Sequence, residues 1–441
     1  MTRFLLSVWV STTLTACSFA PQLASQKSED ESPAPKASST STNAHRKREE
    51  PPELKGPLSV EGAVDRALTF HPELAASRAR IEAATGRKVQ AGVLPNPVFS
   101  ATMESARTEG KTTADTEYPI GITQSLPIGG RLDKAAKVEA TRERRLLAEL
   151  DQHTHEVERQ VRGAFAAALF TEDALTVERE LLAGAEESAQ IAEERVAAGD
   201  AAGDEQARAE LEAARAQISL RQAEMMHKRA LIELRGALGQ PELTISELTG
   251  SLETTLSLPA METVLANLEK SPVLRARALA IEESQARVLR EEASRIPDLD
   301  VGFFYRRLEE TNEDGFDVGV SIPIPIFDRR QGAIQSARAE VLEAEAEYKK
   351  AGMSVAATVQ SLYWKLAQEL ETARLFREEL SPRSETVLRA ATERYRAGET
   401  SLNELIPIRR DHRELRLSYL KLLRHLAVEW AEFRSLLGTA D

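Results

Sequence analysis

His153 and His155 stand two residues apart, and Gly129-Gly130 follows Pro127 at the head of a long helical pattern; these spacings could ligate a metal or cradle a phosphate. Neither serves. Side chains two apart on a helix point to different faces and cannot readily share an ion, and Gly129-Gly130 is better explained as a strand-to-helix turn. The other five of the seven histidines are scattered. With no Ser-centred elbow, Cys–His arrangement or phosphate loop, the chain reads as no enzyme and needs no cofactor or bound metal.

The residue whose chemistry stands out is Cys17, the only cysteine, which leaves no disulfide or thiolate cluster. Ahead of it lie Arg3, an apolar run over 4–14 and then Leu14-Thr15-Ala16. The run is too short to span a bilayer, and small residues before a cysteine suit signal-peptidase processing with the thiol lipidated. Residues 1–17 therefore read as a lipoprotein signal peptide ending at the lipidated Cys17; the plainer reading is a chance cysteine after an ordinary secretory signal. Such an acyl group tethers and does not make a channel. Residues 18–57 are rich in Ser, Pro, Thr, Lys and Glu and read as a disordered tether. Its Arg46-Lys47-Arg48 could touch anionic lipid, although a basic triplet in a linker is commonly just solvated. The net charge of −13 argues against nucleic acid, which needs a basic surface.

The elements behind these residues come in two copies. Phe70-His71-Pro72-Glu73-Leu74 is answered about 200 residues later by Lys270-Ser271-Pro272-Val273-Leu274, and Leu94-Pro95-Asn96-Pro97 by Arg295-Ile296-Pro297-Asp298. Leu126-Pro127-Ile128-Gly129-Gly130-Arg131 lines up with Ile324-Pro325-Ile326-Phe327-Asp328-Arg329. Arg195-Val196-Ala197-Ala198-Gly199-Asp200 pairs with Arg394-Tyr395-Arg396-Ala397-Gly398-Glu399, and Leu234-Arg235-Gly236-Ala237-Leu238-Gly239 with Phe433-Arg434-Ser435-Leu436-Leu437-Gly438. Collinear matches of this kind mean internal duplication.

Residues 58–240 form the first repeat, 241–258 a connector and 259–441 the second repeat. Ala, Glu, Arg and Leu dominate the segments 131–197 and 328–395, which predict very long helices, followed after a Gly bend by helices over about 204–238 and 401–437. Val157, Val161, Phe165 and Leu169 step by four, a narrow seam of the coiled-coil kind. Period-two alternation predicts strands over about 98–106 and 117–126, joined by a charged loop at 107–117, and again over 299–308 and 315–323. In the last pair Phe316, Val318, Val320 and Ile322 alternate with Asp317, Gly319 and Ser321. Strands of about ten residues match a tilted membrane strand. Four such strands cannot close a barrel, so in a membrane the chain must oligomerise, and three chains would supply twelve. The competing readings are a half-buried soluble sheet and a soluble coiled-coil rod.

These motifs, over about 58–440, resemble the TolC-type outer-membrane efflux family. The turns at 124–131 and 322–332 are similar to those of its heavy-metal (CzcC-like) lipoprotein branch. The resemblance implies a mostly α chain with a four-stranded β contribution, trimerising into a long α-helical barrel and a 12-stranded transmembrane β-barrel. It implies a passive duct lipid-anchored in the outer membrane of a Gram-negative bacterium, with a long periplasmic extension. The implied partners are a periplasmic adaptor, an inner-membrane resistance-nodulation-division pump and outer-membrane lipid. Heavy-metal cations are the favoured cargo; a multidrug or other small-molecule duct is the alternative, and a non-pore periplasmic coiled-coil lipoprotein scaffold is the alternative of another class. The two bends would lie at the adaptor end, making Arg195, Gly199, Arg394 and Gly398 docking candidates. Glu404 would ring the tunnel mouth, with Asp200 and Asp204 as further candidates, whereas Pro407 stands where a second acid is common. The plainer reading of each acid is a helix-cap or first-turn carboxylate.

Overall fold

In the computed structural model, residues 53–54, 56–105, 116–117, 119–253, 256–308 and 313–438 are described. The signal peptide, Cys17, most of the tether and most of the 107–117 loop lie outside them. In chain order the elements begin with β1 (Leu58–Ser59), α1 (Val60–Phe70), α2 (Pro72–Ala91), β2 (Val98–Ala101), β3 (Glu104–Ser105), β4 (Thr116–Glu117) and β5 (Ile120–Leu126). The first repeat ends in the helices α3 (Arg131–Ala198) and α4 (Gly203–Ala237). Then follow β6 (Leu248–Thr249), α5 (Met261–Ala266), α6 (Pro272–Ala293), β7 (Leu299–Leu308) and β8 (Glu313–Ser321). The second repeat closes with α7 (Gln331–Leu375), α8 (Ser381–Arg396) and α9 (Leu402–Leu437).

At 68 residues α3 is about 100 Å long. It packs against α2 and α6 toward the strands and against α4 and α9 toward the bends. Its counterpart is interrupted: the helix expected over 328–395 starts at Gln331 and passes through a π-turn at Phe376–Leu380 before α8. Pro382, which has no N–H to offer the carbonyl of Glu378, explains the wider turn. No helix of the described residues is long and apolar enough to cross a membrane.

The duplication motifs meet in space at the helix ends. Gly239 follows α4 with φ +69°, and a Cβ there would sit 2.5 Å from the Pro72 ring that opens α2. Gly438 follows α9 with φ +67°, and its Cβ would lie 2.7 Å from the Pro272 ring that opens α6. Each repeat therefore sets the end of its last helix against the proline-opened start of its second, α4 on α2 and α9 on α6, with a left-handed terminator against a proline that needs no N–H partner. Around this level β1 pairs in parallel with β6, and the main core gathers Phe165, Leu74, Leu234, Leu274, Val359 and Phe433.

The strands form an antiparallel sheet in which β5 lies between β2 and β7, and β8 pairs the far side of β7. β3 and β4 extend the lines of β2 and β5, with the Thr102 N–H bonded to the Pro119 carbonyl at 3.0 Å where both are broken. β8 stops at Ser321, short of the expected residue 323, because Pro323 and Pro325 cannot donate. Register aligns Phe99, Ile122, Phe303 and Val318 on one face, with Ile120, Tyr305 and Phe316 beside them. That face is bare; Phe316 and Val318 are 68% and 73% exposed. The other face carries the small and polar Ser100, Gly121, Thr123, Gly302, Asp317 and Gly319, with Val98 and Phe304 among them. Among the described residues the outer edges of β2 and β8 have no pairing partner.

Sheet and helices are joined by charge and close approach. Gly130 takes φ +68° to start α3, and a Cβ on Gly129 would lie 2.7 Å from Ile296 Cβ, which accounts for the glycine pair as a turn. Arg131 then grips Asp298 through two nitrogens, Nε at 2.9 Å and Nη2 at 2.5 Å. In the second copy the left-handed position belongs to Arg330, at φ 60°, whose Nη2 reaches Glu291 at 2.5 Å. Farther along, Glu283 of α6 is buried and receives Arg145 of α3 at 2.7 Å and Arg287 at 2.5 Å. Burial pushes the Glu283 carboxyl up, but the hydrogen bonds and charge of the two arginines outweigh it and hold it below its usual value.

Among the described residues, two helices at the sides of the bundle carry apolar rows that are left exposed. On α4, Ala209, Ala216, Ala223 and Ala230 are buried, while Leu211, Ile218, Met225 and Ile232 are 51–63% exposed. Both rows repeat every seven residues and lie two residues, about 200°, apart around the helix. On α7, Leu342, Met353, Trp364 and Leu375 recur every eleven residues and are all exposed.

Gly438→Ala is expected to destabilise the protein by about 2 kcal/mol or more, from left-handed strain and overpacking on Pro272; thermal melting by circular dichroism measures it. For Glu283, whose folded pKa is depressed, the stabilisation is present above the unfolded carboxylate pKa and is lost as pH falls through the folded value. Glu283→Gln should cost about 2–3 kcal/mol at pH 7 by removing the charge that Arg145 and Arg287 share, and its melting curve should converge on that of the wild type only as pH falls through the depressed folded pKa of Glu283.

Candidate functional site

The two Gly bends lie at the end of the helical bundle remote from the strands, each built by the same backbone rule. Gly199 has φ +82° and Gly398 φ +73°, open to solvent on their Cβ side. In the first bend the Asp200 N–H reaches the Arg195 carbonyl at 2.8 Å; in the second the Glu399 N–H reaches the Arg394 carbonyl at 2.9 Å. Both helices thus end with the same left-handed reversal, for which glycine has no steric penalty.

The side chains depart from that symmetry. Tyr395, standing where the first copy has Val196, is 1% exposed and anchors a small separate core with Ala192, Ala209, Ala391, Leu402 and Leu405. Arg195 lies over its ring at 5.7 Å and pairs with Glu205 at 3.0 Å, so the two bends are held together. Burial and the Glu205 charge raise the Tyr395 phenol above its usual value, keeping it protonated. Arg394, by contrast, points out to solvent.

The three acids are placed differently. Asp200 is exposed on the first bend. Asp204 is in the first turn of α4 and pairs with Arg208 at 3.1 Å, both largely exposed. Glu404 is in the first turn of α9, exposed, and accepts a 2.7 Å hydrogen bond from the hydroxyl of nearly buried Thr400. Arg208 also donates to Asn403 at 2.9 Å, which brings Asp204 and Glu404 to the same level of the bundle. Pro407 lies inside α9.

Behind this tip α9 is laced to α3 by arginines that reading the chain did not single out. Arg409 donates to the Gly184 carbonyl at 2.5 Å and to Ser188 at 2.7 Å. Burial draws its guanidinium below its usual pKa. Arg413 forks onto Glu178, with Nε at 2.9 Å from both carboxylate oxygens, and Arg416 meets Glu180. The spacing of 409, 413 and 416 marks one helix face, the signal available in advance. A groove of about 480 Å³ between α3, α4 and α9 is lined by Leu181, Leu402, Ile406, Arg215 and Arg409. Among the described residues no group of three or more His, Cys, Asp or Glu side chains could hold a metal ion.

A family model described as outer membrane efflux protein matches residues 63–240 and 265–439. The chain is 29% identical over 376 residues to the cobalt-zinc-cadmium resistance protein CzcC of Cupriavidus metallidurans, covering 85% of this chain and 88% of that protein. It is 27% identical over 310 residues to the nickel-cobalt-cadmium resistance protein NccC of Alcaligenes xylosoxydans xylosoxydans, covering 66% and 65%. In fold it is similar to the outer membrane protein VceC of Vibrio cholerae, with a TM-score of 0.70 and 17% identity over 86% of this chain and 96% of that one.

The two kinds of ion pair at this end should differ in weight. Arg413→Ala, which leaves Glu178 buried and alone, is expected to cost about 3 kcal/mol, whereas Asp204→Ala at an exposed pair should cost under about 0.5 kcal/mol. Denaturant unfolding of both variants tests the ranking.

Proposed function

Because the chain belongs to the outer membrane efflux protein family, we propose that it is the outer-membrane duct of a tripartite export system, working as a homotrimer and passing heavy-metal cations. The sheet carries this reading, with a bare apolar face, a polar opposite face and two unpaired edges. An open edge is not tolerated in hydrocarbon, and three copies joined edge to edge give twelve strands in a closed barrel. The bare rows on α4 and α7 support the same closure, since each side chain buried between subunits stabilises by about 1–2 kcal/mol.

Such a duct needs no catalytic group. The work is done by an inner-membrane resistance-nodulation-division pump, which delivers cargo through a periplasmic adaptor. Arg195, Gly199, Arg394 and Gly398 serve as the adaptor's docking end, supported by their shared tip and open glycines. Asp200, Asp204 and Glu404 stand at the mouth, where a carboxylate repeated threefold attracts cations and resists anions. The cargo class is supported by the names of CzcC and NccC, which are cobalt-zinc-cadmium and nickel-cobalt-cadmium resistance proteins. Cys17, acylated, anchors the mature chain to the outer membrane.

Purified full-length protein in planar bilayers should run as a three-copy species and conduct in discrete steps; a non-conducting monomer overturns the duct. Deleting the gene should lower tolerance to cobalt, zinc, cadmium or nickel several-fold. Unchanged metal tolerance with new sensitivity to organic drugs would move the cargo to drugs. The mature N-terminus, by mass spectrometry, should be a modified Cys17.

A further inference from the structure

On the polar face of the sheet one aromatic ring, Phe304, sits among small and charged residues. Register places it opposite Gly121 of β5 and Asp317 of β8. Strand side chains ordinarily stand off the sheet, and this one lies down. A Cβ on Gly302 would be 2.6 Å from Cε2 and 3.1 Å from Cζ of the ring, and one on Gly121 would be 2.7 Å from Cγ. The nearest atom to a Cβ on Gly319 is the same Cε2, at 3.9 Å. The ring is thus bedded across three strands on three glycines. None of the three has a positive φ, so a left-handed backbone does not require them. Gly121 also has the Phe303 carbonyl oxygen 2.5 Å from its Cβ position, but the three atoms nearest a Gly302 Cβ all belong to side chains, two of Phe304 and Thr123 Oγ1 at 3.3 Å. Glycine inside a strand costs about 0.5–1 kcal/mol, so the bed is a standing expense to local stability.

We propose that Phe304 and its glycine bed set the bore of the duct: the ring is recessed so that the one aromatic side chain on the inward face, among the described residues, does not project into the lumen. This rests on the trimeric-duct reading, in which the apolar face meets lipid and the polar face meets water. Three copies place three rings at one level. A ring standing upright would reach roughly 5 Å from the wall, half the spacing of two packed sheets. A closed eight-stranded barrel is already filled by its side chains, so a twelve-stranded one has only a modest channel to lose. Asp317 and Arg306, paired beside the ring, keep the surrounding wall polar.

The test is single-channel conductance of the full-length trimer in planar bilayers. Gly302→Val, which suits a strand and fills the bed under the ring, should lower conductance about twofold or more. Phe304→Ala should conduct at least as well as wild type, and Gly302→Val with Phe304→Ala should recover to that level. Gly302→Ala, whose single Cβ already meets the ring, serves if the valine variant does not assemble. An assembled Gly302 variant with wild-type conductance overturns the proposal, as does a double variant as low as the single one. Wild-type protein that does not conduct removes the duct reading itself, and this inference with it.

Discussion

A strand edge in hydrocarbon leaves N–H and C=O groups with nothing to bond, at several kcal/mol for each group. The sheet formed by β2, β5, β7 and β8 has two such edges and an exposed apolar face. No arrangement of one chain removes them. The helices repeat the condition in milder form, because α4 buries alanines on one side and leaves leucine, isoleucine and methionine bare on the other. In the proposed trimer, closure by copies of the chain would answer both at once, and the single protomer would be a part of the wall rather than a finished object.

The duplication supplies the second layer of order. In each copy a glycine-ended helix abuts a proline-opened one, Gly239 on Pro72 and Gly438 on Pro272. Two helices thereby run on as one line with a covalent gap, beside α3 in the first copy and beside α7 and α8 in the second. The main core is concentrated around this level, where β1 and β6 also pair. The bends, by contrast, are held by a smaller core around Tyr395 and by the half-buried pair of Arg195 with Glu205. Apolar area is thus concentrated at the waist, and the tip relies more on polar contacts.

Much of this was legible along the chain, for a physical reason. Long Ala-, Glu-, Arg- and Leu-rich helices, period-two strands and glycine bends are local patterns, and duplication shows each of them twice. The mostly helical architecture and the efflux family could be recognised from them. What local pattern does not carry is register. Gly302 shares β7 with Phe304 and Gly319 sits on the neighbouring β8, but Gly121 comes from β5 in the other repeat, and only register brings the ring over all three, so nothing about Gly302 alone marks it as a bed for a ring. Tyr395 was hidden differently: it stood in plain view as the mismatch to Val196, but its burial against the other bend depends on how α3 and α9 pack. The arginines at 409, 413 and 416 read as a solvated face until α3 is laid against them.

The spacing of the two bare rows has a consequence for handedness. A seven-residue repeat on an α-helix drifts about 20° per repeat in one sense, and an eleven-residue repeat drifts about as far in the other. Seams following Leu211, Ile218, Met225 and Ile232 on α4 must therefore wind left-handed, whereas one following Leu342, Met353, Trp364 and Leu375 on α7 must wind right-handed. The α4 row belongs to the half of the bundle that ends in the bends, and much of the α7 row to the half that joins the strands. In the proposed tube the two seams, lying on different helices of one protomer, would therefore twist in opposite senses within the same wall.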